Sequence, residues 1–177
     1  MNIGQSKFTE LESLSPLTQV HALSHLVWPG THLAFRKNWV STTKRYPKEL
    51  PVPKIISVRA KSISVESALR KNSDETDIYL QVLRTKENDL EKSAYVQEIQ
   101  IRSHGQNATI ALAKARKFQE LAKSIKKDGV RKPILLANVE QFDLPYQMFR
   151  FDGHHRAICA LSLGLEKIPA FIFELTD

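Results

Sequence analysis

Hydrophobic positions recur along this chain at two spacings, and the clearest helical one runs through "NATIALAKARKFQELAKSIKKDG", residues 107 to 129. Phe118, Leu121, Ala122 and Ile125 fall three or four apart, which predicts a helix with one apolar face. Asn107 is a competent cap at its start, and Gly129 suits a left-handed terminator at its end. After that stop the apolar run "KPILLAN" predicts a buried strand, and "YQMFRF" predicts a second across the loop "VEQFDLP". "DGHHRAICALSLG" returns to helical spacing. Asp152 stands where it can cap, Ala157, Ile158 and Leu161 form an inward stripe, and Gly164 ends the helix. "IPAFIFE" then predicts a last strand.

The first half is less regular. "SPLTQVHALSHLVWPG" predicts a helix capped by Ser15, with Pro16 in its first turn and Pro29-Gly30 as its stop. Leu17, Val20, Leu23 and Val27 would form its buried stripe. His21 and His25 lie one turn apart, a metal-binding spacing, but with no third ligand nearby surface histidines are the simpler reading. Prolines at 47, 51 and 53 disfavour regular structure and mark a boundary between an N-terminal, partly helical extension (1–50) and a core domain (51–177). "DIYLQVLRT" and "AYVQEIQIR" have β-rich composition and partial alternation, which predicts a hairpin. Strands interleaved with short helices predict an α+β (mixed α/β) fold, a compact small sheet with flanking helices.

Composition narrows the classes. The 177 residues are 42% hydrophobic and 25% charged, ordinary values for a globular chain able to bury a core. No stretch approaches the roughly 20 apolar residues that cross a bilayer, so no membrane partner is expected. "MNIGQSKFTELESLSPLTQ" lacks the basic start and apolar run of a secretory signal, and Cys159 is a lone cysteine; a reduced, cytoplasmic setting is the expectation. The formal charge is +7 and unevenly spread. Between Ala111 and Lys132 eight basic residues meet two acidic ones, whereas from Pro133 onward three basic residues meet six acidic ones. Such a basic segment suits nucleic acid, a phosphorylated small molecule, or plain solvent.

The turn "DGHHR" carries the most specific chemistry. The first amides of a helix lack intrahelical partners and sit at the positive end of its dipole. Gly153 would let an anion approach the backbone, and Arg156 offers a planar fork of donors suited to phosphate oxygens. His154 and His155 can donate hydrogen bonds or move protons near neutral pH. A phosphate site is physically reasonable there, and so is a simple capped turn. A metal site of Asp152, His154 and His155 matches no familiar ligand spacing, and none is assigned.

"LAKSIKKDGVRKPILL" followed by "MFRFDGHHRAICALSLGLEKIPAFIF" resembles the ParB/sulfiredoxin superfamily domain, best over residues 118 to 174. "VQEIQIRSHGQ" would correspond to its leading strand and loop. The resemblance implies a ParB/sulfiredoxin-like fold that binds nucleotide phosphates with Gly153, His154, His155 and Arg156. It further implies that Ser124, Gly129, Lys132 and Pro133 line the nucleotide pocket. Partition proteins of the superfamily carry Gly-Glu-Arg-Arg at this turn and a DNA-reading region downstream; this sequence carries Gly-His-His-Arg and runs to Asp177. Sulfiredoxins carry a nucleophilic cysteine where His154 stands, so sulfinic acid reduction is not expected. Members resembling free serine kinases carry Asp-Gly-His-x-Arg, which Asp152, Gly153, His154 and Arg156 match.

That branch implies ATP or CTP with Mg²⁺, and phosphate transfer to a small hydroxyl substrate. It also implies an acidic residue in the early loop, yet no Asp or Glu lies between Arg102 and Phe118. His104 stands in that loop as a stand-in base and Glu98 precedes it, but neither matches the motif. Asp152, His154 and His104 are therefore the candidate catalytic groups. A nucleotide-binding switch or interaction module without turnover stays open beside the kinase reading. A nucleic-acid-binding protein or nuclease ranks last. Trp28, Trp39 and the Pro-rich stretch point to a lid or a homodimer surface.

Overall fold

The computed structural model describes residues 5–26, 29–44, 50–69, 74–102 and 108–176. Its organising element is a mixed sheet made of β1 (Lys54–Ser64), β2 (Ile134–Asn138), β3 (Met148–Asp152) and β4 (Lys167–Thr176), in the order β1-β4-β2-β3. β4 runs antiparallel to β1 and parallel to β2, and β3 runs antiparallel to β2. The parallel pair is central because helices cover both faces. Ile168, Ala170 and Ile172 of β4 point into one core while Phe171, Phe173 and Leu175 point into the other. A run of apolar residues without alternation is what such a strand requires.

The two cores differ in composition. One is largely aliphatic and lies under α4 (Val65–Ala68), α5 (Asp74–Arg84), α6 (Ala94–Arg102), α7 (Ala108–Asp128) and α8 (His154–Ser162). The other is aromatic and lies under α1 (Gln5–Ser13), α2 (Pro16–Leu23) and α3 (Pro29–Thr43). There Phe35 packs against Trp39, Phe149 and Phe151 with ring centroids 5.4–5.9 Å apart, within the range of favourable edge and tilted contacts. Trp39 is fully buried and its Nε1 donates to the Pro51 carbonyl at 3.0 Å, so it is a core anchor rather than part of a lid or dimer surface. Trp28 lies outside the described residues.

The mixed α/β class, α7, β2, β3, α8 and β4 all agree with the pattern of the sequence. Four expectations do not hold. "DIYLQVLRT" and "AYVQEIQIR" form no hairpin: they lie in α5 and α6, and the latter therefore supplies no leading strand. Their β-branched and aromatic residues pack at helical spacing, with Tyr95 and Val96 buried and Ile99 packed beside them, and tertiary burial overrides strand propensity. The strand that flanks β4 is β1, just after the prolines at 51 and 53; a register shift between Ile55 and Ser57 lets Ile55, Val58 and Ala60 share one face. Pro29-Gly30 opens α3 instead of stopping α2, which ends at Leu23 in a 3₁₀ turn over Ser24–Leu26. In the expected apolar stripes Leu17 is 71% exposed and Leu161 38% exposed, while Leu23 and Ile158 are buried.

β1 is an edge strand, and α1 and α2 close its edge with side chains. Gln19 Oε1 accepts from the Ala60 amide at 2.8 Å, and the Glu12 carboxylate accepts from both the amide and the hydroxyl of Ser62. Unpaired strand amides are thereby satisfied without a further strand. No helix among the described residues is long and apolar enough to cross a membrane.

Candidate functional site

The candidate site is the junction of β3 and α8. Gly153 stands at the N-cap of α8 with φ 98°, a left-handed conformation that favours glycine. A second constraint reinforces the first: a Cβ built at Gly153 would lie 2.4 Å from Cγ2 of Ile134 on β2. The space that glycine frees is thus filled by the core, and the residue is needed for close packing of the turn on β2. No side chain caps α8. Asp152, expected to do so, turns its carboxylate elsewhere: Oδ2 lies 2.8 Å from Arg156 Nη2 and 3.7 Å from Lys132 Nζ.

Arg156 is the centre of this corner. It is 9% exposed, and Nη1 donates to the carbonyls of Lys132 and Pro133, both at 2.8 Å. With Asp152 these bonds pin the start of α8 to the segment that enters β2. The donor fork is held by the chain's own acceptors, a stronger arrangement than neutral hydrogen bonds. Lys132, by contrast, keeps its side chain 49% exposed. It is the cation best placed to meet a ligand from solvent.

Arg150 is a member of the corner that the motif did not reveal. It precedes Asp152 by two residues on β3, so strand alternation places both on one face, and that was the available signal. Its Nη1 donates to the Ala68 carbonyl at the end of α4, and its Nη2 lies 2.6 Å from Nδ1 of His154. A guanidinium has no acceptor, so Nδ1 receives this bond and the ring proton of His154 sits on Nε2. His154 therefore offers no basic nitrogen at Nδ1. His155 lies between Tyr79 and Phe118, at ring distances of 5.1 and 5.0 Å. Burial, then the positive charges of Arg156 and Arg150, hold its pKa below the usual 6.5.

The remaining candidates are dispersed. Ser124 is exposed on α7 and makes no hydrogen bond to this set among the described residues. Gly129 ends α7 with φ 71°, beside Gln5 of α1. His104 and the cap Asn107 lie outside the described residues. Cys159, one turn into α8, is fully buried and its thiol is pushed up to about 12 by burial alone, an unreactive setting. The basic residues of α7 are all exposed; Arg116 pairs with Glu87 at 3.6 Å, and beyond the helix Arg131 pairs with Asp128 at 3.0 Å.

The turn that the superfamily resemblance selected, Asp152-Gly153-x-x-Arg156, is thus a glycine at positive φ opening a helix that no side chain caps. The family model of the ParB N-terminal domain matches residues 84–177, more than half of the chain. The chain belongs to the ParB N-terminal domain family. Among curated proteins and solved structures, no match is found. The ParB-like match takes in α6 to β4 and with them Lys132, Arg150, Asp152 and Arg156. It leaves α1 to α4, β1 and nearly all of α5 outside, including Tyr79, which packs on both histidines at 4.9 and 5.1 Å.

Proposed function

We propose that this ParB-like chain binds a nucleoside triphosphate, its phosphates resting at the start of α8. The observation that carries the reading is the charge of the corner. Lys132 and Arg156 gather around Asp152 beside the uncapped amides of α8, and Arg150 joins the same helix start through His154. Cations and helix amides converging on one point favour a multiply charged anion. Lys132 would contact phosphate directly. Arg156 would hold the turn in shape, and Arg150 would fix the ring of His154 at the start of α8. Mg²⁺ would come with the phosphates, which it typically binds together with only one or two carboxylates.

Phosphate transfer to a small hydroxyl is the finer activity within this reading. It needs a group to take the hydroxyl proton, and the geometry favours binding over transfer at the described residues. Asp152 is engaged by two cations, and Nδ1 of His154 accepts from Arg150. A switch or interaction module that holds ATP or CTP without turnover is thus the second reading.

Calorimetric titration with ATP and CTP in Mg²⁺, followed by an assay for released ADP or diphosphate, tests both. Saturable binding is expected, weakened about tenfold or roughly 1.4 kcal/mol by Lys132→Ala with an unchanged melting temperature. Absence of binding to either nucleotide contradicts the reading. Product formation only with an added hydroxyl acceptor would favour transfer.

A further inference from the structure

Asp152 has two partners of unlike character. Arg156 is buried, bonded at 2.8 Å, and fixed independently by the carbonyls of Lys132 and Pro133. Lys132 is half-exposed, 3.7 Å away, and carried on a flexible stem. The first contact is structural. The second is long, screened by water, and readily exchanged. A carboxylate oxygen therefore already occupies the cation that would meet an incoming phosphate.

We propose that Asp152 is a built-in competitor for the anion, its carboxylate holding Lys132 until a phosphate oxygen replaces it. The inference rests on the nucleotide-binding reading above and adds its regulation. Exchange would be one-sided. Lys132 would swing to the ligand while Asp152 and Arg156 stay joined, so the turn keeps its shape. Asp152 would lower affinity for every anion and most for those of small charge, which cannot outbid the carboxylate. The corner would discriminate triphosphate from monophosphate by charge rather than by shape.

The test uses the full chain and inorganic triphosphate without Mg²⁺. Asp152→Asn keeps an oxygen for Arg156 but removes the charge that holds Lys132, and should tighten triphosphate binding about tenfold, since the lysine is freed for the ligand. In a Lys132→Gln background the same change should alter binding less than about twofold, because the competition acts through that lysine. In the wild-type protein the carboxyl carbon signal of Asp152 should shift as triphosphate saturates the site, which keeps the test valid if the variant folds poorly. Unchanged or weaker triphosphate binding by Asp152→Asn overturns the proposal, as does a stationary Asp152 signal during binding. Loss confined to Mg-ATP would mark Asp152 as a metal ligand and equally overturn it. Absence of binding by both proteins would strike the nucleotide reading itself.

Discussion

The two faces of the sheet are built differently. The aromatic face, under α1, α2 and α3, is closed: Trp39, Phe35, Phe149 and Phe173 are at most 1% exposed. The aliphatic face lies under α7 and α8 and ends at a charged corner where Lys132, Asp152, Arg150 and Arg156 meet. One face supplies rigidity, and the other carries the ion pairs on which the proposed anion binding rests. The division tracks the family match: α6 to β4, with the charged corner, lies inside it, and the helices that close the aromatic face lie outside. A helix start can only present a fixed constellation if the strand before it cannot move, and Phe149 and Phe151 anchor β3 from the opposite side.

Breaking the aromatic face should have the largest effect. Trp39→Ala empties a fully buried site and loses the bond to Pro51, and should lower stability by about 3–5 kcal/mol in chemical denaturation. Nucleotide affinity, measured well below the melting temperature, should fall by only a few-fold, because Trp39 reaches the corner solely through its ring contact with Phe149 of β3. Equal loss of stability and of affinity would erase the distinction between the faces.

Gly153→Ala acts where the faces join. The added methyl would meet Ile134 at 2.4 Å and force a side chain onto φ 98°. A loss of about 1–3 kcal/mol is expected, together with weaker anion binding as the start of α8 shifts. Binding loss without any stability loss would mean that the turn is not packed on β2 as described.

The smallest effect concerns His155. Its pKa lies below 6.5 in the folded chain, so between that value and 6.5 the unfolded chain binds more protons. Its contribution to stability is present above pH 6.5 and is lost as pH falls through the folded value. Melting temperature should therefore drop modestly from pH 7 to pH 5, and His155→Phe should flatten that slope. A variant with the same slope would assign it to other groups.

Much of the aliphatic side was legible in the sequence. Phe118 and Ile125 at helical spacing, Gly129 and Gly164 as stops, and the apolar β4 all act locally, so pattern alone places them. The earlier half was not, because its order depends on distant partners. Tyr79, Val82, Tyr95 and Val96 have strand-like composition and become helical only because their buried sides meet Phe118 and the rest of that core. β1 is broken in pattern by its irregular register at Ile55. At the site, the residue types were legible but their partners were not. Arg156 reads as a free fork, yet carbonyls 24 and 23 residues earlier and Asp152 take its hydrogen bonds. Lys132 was reached through the superfamily resemblance, whereas Arg150 becomes informative only once strand pairing and the turn bring it to His154.

The most direct test follows backbone amide signals by nuclear magnetic resonance while ATP is added to the full chain. The account predicts saturable shifts at Gly153, His154, His155, Arg156 and Lys132, with the aromatic face silent. Shifts confined to the outer lysines of α7, or none at all, would contradict it.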